Sequence, residues 1–172
     1  MNRFLIIADD FTGAADTGVQ PARRGCPVDV SLPGSGVAEP GASSVIDTET
    51  RNLAGGEACN AVRDGIRGID FSRYGCIVKK VDSTLRGNIA EEIAAVDEAF
   101  QSELVVFMPA YPDLHRTTVD GIQLLNGVRI TQTELAIDPK KPVTEDSLSN
   151  ILGKVYKGNV GMSVLIRSRK AG

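Results

Sequence analysis

The chain has 172 residues, a formal charge of −3, 42% hydrophobic residues and 24% charged ones, which is enough for one domain with a sizeable core. This mild acidity gives no reason to expect a nucleic-acid partner, and the longest apolar runs, Leu5–Ala8 and Leu104–Met108, are far too short to cross a bilayer. With no apolar h-region at the N-terminus, the plain reading is a cytoplasmic enzyme, or part of one, that engages neither membrane nor nucleic acid.

Arg3 to Asp9 is an apolar, β-branched run that predicts a buried strand, followed by a short helix over Thr12 to Arg24. Val28–Leu32 predicts a second strand. Pro33 to Ser44 has the Gly, Pro and Ser content of a loop, and Ser44–Asp47 predicts a third strand running into Thr48-Glu49-Thr50-Arg51. Glu57 to Ile69 carries Ala58, Val62, Ile66 and Ile69 at helical spacing. Tyr74 to Asp82 returns to strand character, and Asn88 to Phe100 repeats the helical pattern with Ile89, Ile93, Val96 and Phe100. Asn88 and Glu91 have capping-box spacing at its start. Glu103 to Met108 predicts one more strand. This alternation predicts an α/β fold, a mainly parallel Rossmann-like sheet with helices on both faces.

After Gly121 the pattern changes. Asn126-Gly127 between the apolar runs of Ile122–Ile130 predicts an accessory β-hairpin beside the sheet, because both residues accept positive φ. Thr144 is placed to cap a helix whose apolar face is Leu148, Ile151, Leu152 and Val155. Val160 to Ile166 predicts a last strand, whose exposed edge would favour self-association. Cys26, Cys59 and Cys76 are widely spaced and contain no Cys-x-x-Cys pair, so they read as ordinary reduced thiols, with Cys76 in the core. His115 is the single histidine, which leaves a Ser-His-Asp triad or a multi-histidine metal site one candidate imidazole at most. Carboxylate, Lys and Arg chemistry remains.

Two segments concentrate that chemistry. Ala8-Asp9-Asp10-Phe11-Thr12-Gly13 and Lys79-Lys80-Val81-Asp82-Ser83-Thr84-Leu85-Arg86-Gly87-Asn88 each link a buried strand to a helix, the place where open α/β sheets bind ligands. Asp9 and Asp10 can accept hydrogen bonds from sugar hydroxyls, and either could take a proton from an attacking hydroxyl. Asp10 is equally a candidate helix N-cap, and Asp16 is a weaker third member. In the second segment, backbone N–H groups before a helix favour an anion, Arg86 can grip a carboxylate with two parallel bonds, and Gly87 permits close approach. Strand alternation puts Lys80 and Asp82 on one side. The bland reading is that Asp82 and Ser83 cap turns and Lys80 pairs with an acid. Arg51, beyond the third strand, is a second candidate anion clamp or a solvated arginine. A haloacid-dehalogenase-like phosphatase also places Asp and Thr after its first strand, but it needs Asp-x-Asp spacing and here the two acids are adjacent.

On these residues, together with Asp47-Thr48-Glu49-Thr50-Arg51, Pro109-Ala110-Tyr111-Pro112, Arg116-Thr117, Gly121, Asn126-Gly127-Val128, Asp138-Pro139 and Pro142-Val143-Thr144, the sequence resembles the four-carbon acid sugar kinases that act on threonate, erythronate and 3-oxo-tetronate. His115 stands where that family more usually has glycine. The resemblance implies that residues 1–172 form a truncated N-terminal acid-sugar-binding domain lacking the C-terminal nucleotide-binding domain. ATP and Mg²⁺ are the cofactors implied for the full-length family, with no nucleotide site in this chain. It implies that Arg51 and Arg86 hold a sugar-acid carboxylate, that Asp9, Asp82, Ser83 and Asn88 bind hydroxyls near Lys80 and Gly87, and that Asp10 or Asp82 is the catalytic base. Such a chain alone would bind a small sugar acid without phosphorylating it. It would work as a homo-oligomer or beside a separate ATP-domain chain; the alternatives are a non-catalytic regulatory module or the remnant of a truncated gene.

Overall fold

The structure is a computed structural model that describes residues 3–35, 41–157 and 160–161. Its centre is a four-stranded, wholly parallel sheet of β1 (Phe4–Ala8), β2 (Val28–Ser31), β3 (Ser43–Asp47) and β4 (Cys76–Lys80), ordered β2-β3-β1-β4. In β1 the side chains alternate between two cores. Leu5 and Ile7 pack with Val62 and Ile66 behind helix α2 (Gly55–Gly65) and with Ala95 and Val96 of helix α3 (Ile89–Phe100). Ile6 and Ala8 pack on the other side with Ala14 of helix α1 (Phe11–Ala22). Each fully buried aliphatic side chain contributes about 1.5–3 kcal/mol, and burial on both faces is why the strand reads as an unbroken apolar run. The Rossmann-like arrangement with helices on both faces is therefore present.

A third core joins α3 to the accessory region: Leu85, Ile89 and Ile93 meet Ile130, Val143 and Ile151. The accessory sheet has three antiparallel strands, β5 (Arg116–Val119), β6 (Ile122–Leu125) and β7 (Val128–Arg129). Asn126 and Gly127 turn between β6 and β7 with φ of 52° and 79°, and Asp120 and Gly121 make the equivalent turn before β6 with 48° and 75°. The second hairpin escapes a sequence reading because Arg116-Thr117-Thr118 is polar and lacks apolar alternation. Helix α4 (Leu148–Gly153) follows.

Several local expectations are corrected. No regular strand forms over residues 103–108; Val105 and Phe107 turn inward while Leu104, Val106 and Met108 stay exposed. Alternation without a hydrogen-bonded neighbour is not a strand. Asn88 does not cap α3, because its amide is spent on other loops. Ser147, not Thr144, caps α4 by accepting from the Asn150 N–H. Cys76 is exposed because it begins an edge strand, and none of the three cysteines is paired. Of the predicted strand Val160–Ile166, all but Val160 and Gly161 lie outside the described residues.

Candidate functional site

The sheet order creates a crevice at the carboxyl ends of its central strands. β1 feeds α1 on one face, whereas its two neighbours, β3 and β4, feed α2 and α3 on the other. Loops diverging to opposite faces leave room between them. Asp9 and Asp10 follow β1, Arg51 follows β3, and Asp82 to Asn88 follow β4.

Arg51 ties the first two loops together. Its Nε and Nη2 donate to Asp9 at 2.8 and 3.0 Å, and Nη2 also donates to Asp10 at 2.7 Å. Asp10 is at the same time the N-cap of α1, accepting from the Gly13 N–H at 2.8 Å. Burial works against the Arg51 charge, but the hydrogen bonds and charges of Asp9, with Asp82 and Asp10 nearby, raise its pKa further above its ordinary value. Gly87 (φ 104°) closes on this pair: a Cβ there would lie 3.4 Å from Asp9 Oδ2 and 3.6 Å from Arg51 Cγ. Only a residue tolerant of positive φ fits so close.

Asp82 organises the third loop. It accepts from the Thr84 N–H, the Thr84 hydroxyl and Arg86 Nε. Burial would push its carboxyl up, yet these donors hold it below the usual carboxylate range. Arg86 also approaches Asp138, at 3.7 Å. Asn88 donates to the carbonyls of Thr50 and Leu53 at 2.9 and 3.1 Å and accepts from Lys141 at 2.8 Å. Lys80 donates to the Val81 carbonyl and lies beside Gly13 at the start of α1. Ser83 is buried and accepts from Arg116 Nη1 at 2.7 Å.

All nine candidates, Asp9, Asp10, Arg51, Lys80, Asp82, Ser83, Arg86, Gly87 and Asn88, thus gather at one end of the sheet. Asp16 is not among them; it lies exposed on α1. His115, also exposed, takes φ 54°, a left-handed conformation of the kind glycine favours. Three further residues join the nine. Lys141 reaches the loops from 53 positions beyond Asn88, with no sequence signal. Arg116 joins through its bond to Ser83. Asp47, at the end of β3, is buried, and burial first, then the charge of Glu49, pushes its carboxyl up to about 6. Neither of two cavities elsewhere, of about 280 Å³ between β4, α3 and residues 104–107 and about 350 Å³ beside α2 and α3, is lined by any of the nine. Among the described residues no group of three or more His, Cys, Asp or Glu is placed to hold a metal ion, and no helix is long and apolar enough to cross a membrane.

Comparison with known proteins agrees with this architecture. The chain is 40% identical over 152 residues to a D-threonate kinase of Salmonella typhimurium, which covers 87% of this chain and 36% of that protein. It is 36% identical over 166 residues to a D-erythronate kinase of Heliobacterium modesticaldum, covering 94% and 38%. The chain therefore spans little more than a third of the length of these relatives. A Bordetella bronchiseptica protein, crystallised as a domain-swapped dimer with bound citrate, superposes with a TM-score of 0.78 at 34% identity over 88% of this chain and 40% of that one. The model of the family described as "sugar-binding N-terminal domain" matches residues 4–170, and this chain belongs to that family.

Proposed function

We propose that this chain is the part of a four-carbon acid sugar kinase that binds the sugar acid, with a ligand of the threonate, erythronate or 3-oxo-tetronate type. The observation that carries this reading is the crevice between the β1, β3 and β4 loops, where carboxylates and guanidinium groups stand in two hydrogen-bonded clusters, Asp9, Asp10 and Arg51 in one and Asp82 and Arg86 in the other, near enough that the Asp82 charge acts on Arg51. Carboxylates take up sugar hydroxyls, and cations neutralise the acid. The names of the relatives and the citrate held by the Bordetella protein support it.

Of the two candidate bases, Asp10 is the more accessible: its side chain keeps 20% exposure against 6% for Asp82. Asp82, nearly enclosed, orders its loop, and Asp10, which keeps the greater exposure, is the carboxylate that meets a substrate hydroxyl. Phosphoryl transfer rests on positioning and charge neutralisation. Such kinases use ATP and Mg²⁺, and because this chain spans little more than a third of its kinase relatives, the reading is of a sugar-acid-binding part that works together with a nucleotide-binding part. A β4 edge with no strand beside it among the described residues and the swapped dimer of the Bordetella protein favour self-association, which size-exclusion chromatography reads directly.

Titration calorimetry of the chain with D-threonate, D-erythronate and acetate tests the reading. Saturable heat with a four-carbon acid and none with acetate is expected; no heat with any four-carbon acid at millimolar concentration overturns it.

A further inference from the structure

The guanidinium groups around the crevice differ in what they already hold. Arg51 is engaged by two carboxylates, Asp9 and Asp10, and Arg86 by Asp82 with Asp138 beyond. A ligand carboxylate arriving at either must compete with fixed internal acids. Arg116 is different. Among the described residues it forms no ion pair; Nη1 donates to the Ser83 hydroxyl at 2.7 Å, and Nε is buried with no acceptor at all. The guanidinium is only partly buried, but a buried N–H with no acceptor is costly.

The surroundings hold Arg116 in place. Its backbone N–H and carbonyl both pair with Tyr111, at 3.2 and 2.7 Å. Ser83, its partner, is fixed from the other side: the fully buried Gln123 donates to the Ser83 carbonyl at 2.8 Å, and Gln123 in turn accepts from the Thr118 hydroxyl at 2.6 Å. One face of the accessory sheet thus braces the loop that carries Asp82 and Arg86. Because Arg116 donates to Ser83 Oγ, the Ser83 proton is turned away to donate elsewhere. A guanidinium fork and a hydroxyl donor side by side match an oxyanion. Among the described residues Lys80 and Lys141 also lack acidic partners, but their ammonium groups already donate to backbone carbonyls.

We propose that Arg116, together with the Ser83 hydroxyl that it orients, takes the carboxylate of the ligand, leaving Arg51 and Arg86 to order the acidic loops. This rests on the sugar-acid reading above. It gives the accessory sheet a task in ligand selection: to distinguish an acid from a neutral polyol of the same length.

The test compares D-threonate with threitol, its neutral counterpart, by calorimetry on the full chain and on Arg116→Gln. Wild type is expected to prefer the acid, and the variant to lose about 10- to 100-fold for threonate with threitol binding unchanged. Equal losses for both ligands, or an unchanged ratio, overturn the assignment while leaving the sugar-acid reading intact. A wild-type chain that binds neither ligand sinks both. If Arg116→Gln does not fold, as judged by its thermal transition, the same ratio is read on Arg116→Lys. That variant keeps the charge without the fork and must show a smaller preference for the acid than wild type; an unreduced preference overturns the assignment.

Discussion

Arg51 grips Asp9 through two parallel bonds, Nε to Oδ2 at 2.8 Å and Nη2 to Oδ1 at 3.0 Å, across 42 positions of sequence. Both side chains are shielded, with 16% and 3% exposure. Breaking such a pair from one side strands a buried charge. Arg51→Met is expected to lower stability by about 3–5 kcal/mol in urea unfolding, and Arg51→Met with Asp9→Asn to recover part of that loss. A single variant as stable as wild type would show that the pair is screened.

Asp47 makes stability depend on pH. Its carboxyl titrates near 3.8 when unfolded and at about 6 when folded, so between these values the folded chain binds more protons than the unfolded one. This group's contribution therefore falls as pH rises through that window. The urea midpoint of wild type relative to Asp47→Asn should decline from about pH 4 to about pH 6; a difference that stays flat contradicts the assignment.

Gly87 is strained for any other residue. Gly87→Ala would place a side chain at φ 104° and 3.4 Å from Asp9 Oδ2, costing about 1–3 kcal/mol and crowding the Arg51–Asp9 pair. Thermal unfolding should show the loss, and calorimetry a weaker affinity for the sugar acid.

Lys79 and Glu92 form a second shielded pair, 2.7 Å apart with 7% and 2% exposure, and Glu92 Oε1 has no hydrogen-bond partner among the described residues. Lys79→Met alone should cost about 3–5 kcal/mol, whereas Lys79→Met with Glu92→Leu should be near neutral or stabilising. Denaturation of both variants beside wild type distinguishes an incompletely satisfied pair from one that the fold needs.

Much of this was legible in the chain. The apolar run of β1, the helical spacing of α2 and α3 and the Asn126-Gly127 turn are local patterns, and local patterns survive into structure when the tertiary context agrees with them. The acid and base segments were also visible, because charges abutting buried strands stand out in sequence. The strand expected over residues 103–108 was not realised, since a strand needs a hydrogen-bonded neighbour that its own residues do not encode. Asn88 had the spacing of a cap and served instead to join the Thr50 and Leu53 loop to its own, a choice made by proximity in space.

The sequence by itself determined the four strands of the central sheet, the helices beside them and the polar residues at their junctions, because hydrophobic period and residue type act over a few positions. Only the tertiary structure decided which charge meets which. Arg51 and Arg86 are alike in sequence as possible clamps, yet both face internal carboxylates, while Arg116 from the accessory sheet meets none among the described residues. Electrostatic pairing depends on distance through space and on shielding from water, and neither is written in the order of residues.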